Sequence, residues 1–421
     1  MRTLYSWRTR AETYATAPLL ALVLLQGSAV VGTTTPLYWT AATANADLML
    51  FIVVPVCAAV AAWEGARHRI GRIDTMTIVR RSWQVALVAV APTLVMGLLG
   101  IAAAVASTAP AAVGAPGLPD PWLIAVYILV MAGHTVVGYG LGRWLPPALA
   151  LPISLAGSYV WLAYPAAIEP FWIRHLNGLS FEGCCTIDRS PSPRALLATA
   201  VFAVALGAGV LSALAGTRRM RAVGGAALTV LSIVAVTVAL PLGPSADAPR
   251  GGSVRCEGSK PVLCLWPEQE GSRGLVHAAL ASSYARLADV GMPLPAVVTA
   301  REAEARDAIF VGLAARPEPR DVVLSLVAGA VPGTVPDCAT RGEWPGANSH
   351  VALTAWLALA AGVPASDLDG VAPPELIDLA SRVRRLSNER QLAWYHANLA
   401  PLQDCTTQPR LDPSAFQDGA R

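Results

Sequence analysis

Few residues in this chain have the types and spacing to do chemistry together. His277, in RGLVHAALASSYARL, has Ser282 and Ser283 nearby on one helical pattern, the residue types of a nucleophile relay. A partly exposed helix histidine accounts for the same pattern without any relay. His350, after EWPGANS, reads as a helix-start residue, and His396, beside Trp394 and Tyr395, as aromatic packing. No GxxxxGK[ST], HExxH, GxSxG or DxDxDG is present, and with Lys260 as the one lysine a phosphate loop is excluded. No catalytic residue, cofactor site or metal site is expected, so the chain does not read as an enzyme.

The cysteines carry the remaining chemistry. There is no CxxC, and His277, His350 and His396 lie near no cysteine pair, which disfavours zinc. Cys256 and Cys264 flank the turn-forming GSKP, so a hairpin would bring them face to face. Cys338 and Cys405 would then be left to each other. Cys184 and Cys185 have three options: a vicinal bond, partners elsewhere, or free thiols. Spacing does not choose among the many pairings six cysteines allow. Cys57, inside an apolar run, reads as a small core residue.

The elements that must position these groups are mostly hydrophobic. The 421 residues are 54% hydrophobic and 14% charged, with a mean hydropathy of +0.49, far from the roughly 25% charge of a soluble domain. Seven apolar runs approach the roughly 20 residues that cross a bilayer: about 17–35, 46–63, 83–106, 121–142, 146–164, 195–216 and 222–242. The first resembles a cleaved signal peptide, but with six further runs behind it an uncleaved helix is the simpler reading. Prolines and glycines weaken runs five and six, and a count one lower would put the C-terminal region on the opposite side.

Charge orders the connections. Residues 1–242 hold 15 of the 31 Lys and Arg but 8 of the 28 Asp and Glu, and the excess reverses in residues 243–421. Basic connections (Arg2, Arg8 and Arg10; the strip 64–83; Arg143; Arg218, Arg219 and Arg221) alternate with ones poor in arginine. The positive-inside rule then places the N-terminus in the cytoplasm and, after seven spans, the C-terminal region outside. Apart from Cys57 the cysteines fall on that outer, oxidising side, as disulfides require. The basic excess lies in the oily half, which points to a lipid bilayer as partner and away from nucleic acid.

His134 reads as the one ionisable residue well inside a span: a neutral histidine bonded to a neighbouring helix, or, less simply, a proton relay. Gly138 and Gly142 form a GxxxG suited to close helix contact. No span shows paired Asp or Glu, which argues against an ion-coupled transporter. Residues 243–421 read as a folded domain, mixed α/β or mostly helical. Its strand-like run is VLCLWPE, its helices lie near 272–291, 319–330, 350–362 and 374–400, and its last dozen residues read as frayed. The expected fold is thus an α-helical multi-pass membrane protein, with a segment 1–16, a membrane domain 17–242 and an extracytoplasmic domain 243–421.

Two segments border the membrane. In residues 1–14, Leu4, Trp7, Ala11 and Tyr14 share a helical face, as in an in-plane amphipathic helix; an ordinary basic leader with aromatic anchors fits as well. In EGARHRIGRIDTMTIVRRSW, Ile70, Ile73, Met76 or Thr77, Val79 and Trp83 recur at helical spacing among arginines. A plain loop needs no such stripe, so a short helix at the membrane face is expected.

These features resemble the integral-membrane subunits of ABC-type exporters, and actinobacterial ones with an added C-terminal outer domain. In that superfamily the first cytoplasmic loop often reads E-x-x-R-x-x-G before a short helix. Glu64, Arg67 or Arg69, and Gly71 stand in comparable places, followed by Arg72 and Ile73. The resemblance covers roughly residues 1–242. It departs from the family in a seventh span and in Asp74, Thr75 and Thr77 where a leucine-rich helix is usual. It implies a non-catalytic permease subunit, whose strip docks a separate ATPase, and leaves pairing into a homo- or heterodimer open. The alternative is a membrane-anchored binding or sensory protein that presents a disulfide-linked ectodomain without transport.

Overall fold

The structure, a computed structural model, describes residues 10–73, 82–178, 181, 184–214, 217–302, 308–333, 335–340 and 344–417. The chain divides into two compact units, 1–248 and 249–421, a few residues beyond the boundary read from hydropathy. Among the described residues, seven helical stretches are long and apolar enough to cross a membrane: Ala11–Thr33, Trp39–Ile70, Trp83–Ala112, Pro121–Trp144, Pro147–Ala167, Pro193–Ala213 and Arg218–Ala239.

The first unit runs α1 (Ala11–Val30), α2 (Trp39–Asn45), α3 (Leu50–Ile70), α4 (Ser82–Thr108), α5 (Pro121–Trp144), α6 (Pro147–Ala163), the one-turn α7 (Arg174–Asn177), strand β1 (Arg189–Pro191), α8 (Pro193–Ala213), α9 (Arg218–Ala239) and strand β2 (Asp247–Pro249), which pairs with β1. Helix α1 begins at Ala11, inside the stretch read as an in-plane segment, while residues 1–9 lie outside the described residues. Helix α3 also runs on past the expected end near residue 63. Hydropathy falls at Glu64, but Glu64, Gly65, Ala66 and His68 are buried, so packing continues the helix where apolar composition stops.

Helix α5 is the centre of this unit, with α3 against one side and α8 against another, and α6 also packs on α3. Its start is well specified: Pro121 follows Asp120, whose carboxylate accepts from the backbone of Trp122 and Leu123. Small residues let it meet its neighbours at backbone range. A Cβ on Gly138 would strike the Ala58 carbonyl, one on Gly142 the Ala62 carbonyl, and one on Gly65 the Tyr139 carbonyl. On the α8 side, a Cβ on Gly133 would crowd the Ala203 carbonyl. Between helices in hydrocarbon such close approach is a main source of association, because lipid is as apolar as leucine.

In the second unit, strands β3 (Arg255–Glu257), β4 (Val262–Leu265), β5 (Val297–Thr299) and β6 (Ile309–Phe310) form one sheet in that order. β3 and β4 are antiparallel with Cys256 opposite Cys264, and the β4–β5 and β5–β6 pairs are parallel. Among the described residues five α-helices accompany the sheet: α10 (Arg273–Asp289), α11 (Pro319–Ala330), α12 (Gly346–Ala361), α13 (Pro374–Val383) and α14 (Asn388–Leu399). The single helix expected over 374–400 is therefore two. Ser387 is extended at the head of α14, and the buried Gln391 at the joint donates to the Leu386 carbonyl while accepting from Trp356 Nε1.

Of the C-terminal residues read as frayed, the Arg410 and Leu411 backbone and Pro413 are held by the fold, Ser414, Ala415 and Gln417 are exposed, and 418–421 lie outside the described residues. Trp394 Nε1 donates to the Leu411 carbonyl, Asn398 bonds both ways with the Arg410 backbone, and Pro413 is buried. Disulfides join Cys256 to Cys264, Cys338 to Cys405 and Cys184 to Cys185, and Cys57 is free and buried.

The α3–α5 seam yields a direct test. Gly142→Leu should lower stability by about 1–3 kcal/mol, because a backbone carbonyl cannot step aside as a side chain can. Gly157→Ala, whose added Cβ meets nothing within 4 Å, should stay within about 1 kcal/mol of the parent. Thermal unfolding of both purified proteins in one detergent compares them.

Candidate functional site

The strip 64–83 is not one element. Its first part completes α3, whose last turn carries Arg67, His68 and Arg69, cations placed well for a helix C-terminus. The Gly71 amide donates to the Arg67 carbonyl at 2.9 Å and closes the helix, and Arg72 takes a positive φ of 47°. That left-handed conformation is uncommon for a residue other than glycine. Residues 74–81 lie outside the described residues, and with them Met76, Thr77 and Val79 of the expected stripe.

The six residues expected at a docking surface separate into two groups. Glu64 is turned inward, 3% exposed, and accepts from Arg67 Nη1 at 2.8 Å, so Arg67 is largely committed within the fold. Arg69, Gly71 and Arg72 are exposed, together with Ile70, and Ile73 is half-buried.

Near this end two separate polar pairs each join two helices. His68 Nδ1 lies 2.8 Å from the Tyr139 hydroxyl of α5, with the rings edge to face. Glu12 of α1 accepts from Thr93 Oγ1 of α4 at 3.0 Å, and its second oxygen is buried without a hydrogen bond. At the edges of the apolar runs or beyond them, Glu12, Asp47, Glu64 and His68 are buried as well as His134. Hydropathy missed them because each lies at or beyond the edge of an apolar run, where only the neighbouring helices decide burial.

His134 sits on α5 with Nδ1 2.5 Å from Ser158 Oγ of α6, bonded to a neighbouring helix. Asp47 accepts from the Phe181 amide at 3.1 Å. His175, on α7, was also missed. It is fully buried, and its Nε2–H donates to the Gly243 carbonyl at 2.8 Å.

In the second unit no relay forms at His277. It is exposed, and the hydroxyls of Ser282 and Ser283 both donate to the Ala279 carbonyl. His350 lies in the first turns of α12, where burial lowers its pKa, and His396 stacks edge to face on Tyr395. Among the described residues no group of three or more His, Cys, Asp or Glu could hold a metal ion. Arg250 instead forms a two-pronged bond to Glu268 while covering the Trp266 ring, a packing role.

Comparison with known proteins adds one finding. A family model described as a domain of unknown function (DUF7224) matches residues 263–405. That segment runs from β4 to Cys405 and lies within the second unit. No curated protein and no solved structure matches the chain.

His175 generates a pH prediction. Burial lowers its pKa below the usual 6.5, against the pull of the Gly243 carbonyl. The unfolded chain therefore binds more protons just below that value, and the stabilising contribution is complete above about 6.5 and lost as pH falls toward the folded pKa. Thermal midpoints should drop between pH 7.5 and pH 5.5, and drop less in His175→Gln.

Proposed function

We propose that this chain is a non-catalytic, permease-like membrane subunit driven by a separate ATPase. In this reading its arginine-rich connections face the cytoplasm and residues 249–421 lie outside. The orientation is supported by the alternation of basic and arginine-poor connections. It is supported independently by the disulfides, which belong to an oxidising compartment.

The observation that carries the coupling role is the end of α3. The helix has 21 residues, about 31 Å at 1.5 Å each, close to the hydrocarbon thickness. Its last turn then sits at a membrane face, with Arg69, Ile70 and Arg72 exposed to a partner. Within that turn His68 meets the Tyr139 hydroxyl, and one turn back Gly65 lies against the Tyr139 carbonyl. A push on the exposed turn is therefore passed to α5 through contacts that have no slack, as a packed interior transmits strain.

A second reading, a membrane-anchored binding or sensory protein, is favoured by one observation. The family match lies wholly in the second unit, as expected if that domain carries a function of its own.

Orientation is tested with phosphatase fusions. A fusion after residue 248 should be active and one after residue 72 inactive, and the reverse pattern overturns the proposal. Coupling is tested by purifying the intact protein from native membranes. An ATP-hydrolysing subunit should accompany it, and Arg69→Glu with Arg72→Glu should reduce recovery at least fivefold without lowering the thermal midpoint. Absence of any ATPase from the unmutated preparation leaves the binding reading.

A further inference from the structure

The membrane unit contains a cavity of about 350 Å³ between α5, α6 and α8, with Ala58 of α3 in its wall. Its size falls in the range of small-molecule sites. The wall is mainly apolar, and Trp161 stacks on Phe202 at 5.4 Å across one side. Ile153, also in the wall, is 45% exposed on α6, so the cavity opens toward the apolar outer surface of that helix.

Four polar side chains, Ser158 among them, break the apolar wall, and the other three are incompletely bonded. Ser154 is 3% exposed, and its hydroxyl is buried with no hydrogen-bond partner. Trp161 Nε1–H is buried and likewise unbonded. His134 spends Nδ1 on Ser158, and one ring nitrogen remains whichever tautomer is present. Unmet donors and acceptors are costly, most of all where a bilayer excludes water. Among the described residues no Lys, Arg, Asp or Glu lines the cavity.

We infer that this cavity binds an uncharged amphiphile, an alkyl chain ending in a hydroxyl or carbonyl. The head oxygen accepts from Trp161 Nε1–H and bonds the Ser154 hydroxyl, and the chain leaves past Ile153. A phosphate or ammonium head is disfavoured, since no opposite charge meets it and burial of an unpaired ion is prohibitive. The same chemistry occurs in a neutral bilayer lipid and in a long-chain alcohol carried as cargo. Binding of this kind needs only the first unit and no ATPase.

Photolabelling of the full chain in phosphatidylglycerol nanodiscs tests it. Diazirine-bearing hexadecanol should give saturable adducts on peptides of α5 and α6, and the matching hexadecanoate at least fivefold fewer. Gly157→Phe should fill the cavity, because Gly157 lines it and an added Cβ meets nothing within 4 Å. Labelling should fall at least fivefold with the thermal midpoint kept. Ser154→Ala should weaken labelling about threefold and leave stability unchanged, as removal of a structural hydrogen bond would not. Competition by dioleoylglycerol points to a bilayer lipid, and competition by hexadecanol alone to a single-chain cargo. Undiminished labelling in Gly157→Phe, or equal labelling by the carboxylate, overturns the inference.

Discussion

The first unit depends on how closely α3 and α5 approach. Gly138 against Ala58, Gly142 against Ala62 and Gly65 against Tyr139 bring two backbones within reach of each other's carbonyls. Without side chains between them the helices gain dispersion contacts along their whole shared length, the term that remains when no water is to be expelled. The same approach puts Gly138 and Ala58 in the wall of the cavity. Packing and the pocket are consequences of one run of small residues.

Polar groups in this unit act as joints. His68 ties α3 to α5, Glu12 ties α1 to α4, and His134 ties α5 to α6. A bond of this kind holds because the alternative is an unsatisfied polar group in an apolar interior. One oxygen of Glu12 and the indole nitrogen of Trp83 are buried without a hydrogen bond, as are Ser154 and Trp161, and what sets the latter two apart is their place in the cavity wall.

The second unit is held by different means. Its sheet is small, and covalent closure supplements the core: one disulfide spans the β3–β4 hairpin and another spans 67 positions between Cys338 and Cys405. The core is built on Trp266, Trp356 and Trp394, each fully buried with its ring nitrogen bonded. An indole placed in this way contributes a large apolar area at no polar cost.

Several features were legible in residue order because their causes are local. Seven apolar runs are helices, α11 begins and ends where its pattern does, and the GSKP turn sets Cys256 opposite Cys264. Others depended on neighbours distant in sequence. Whether α3 stops at 63 or 70 is decided by α5, which buries Gly65 and His68. The break at 384–387 is held by Gln391 bonding Leu386 and Trp356, and the C-terminal residues are held by Trp394 and Asn398. Sequence alone determined the seven long apolar runs and the alternation of charge, since both follow from composition along the chain. Tertiary structure alone decided which carboxylates and histidines are buried and where a cavity opens, since burial is set by the surfaces that other helices present.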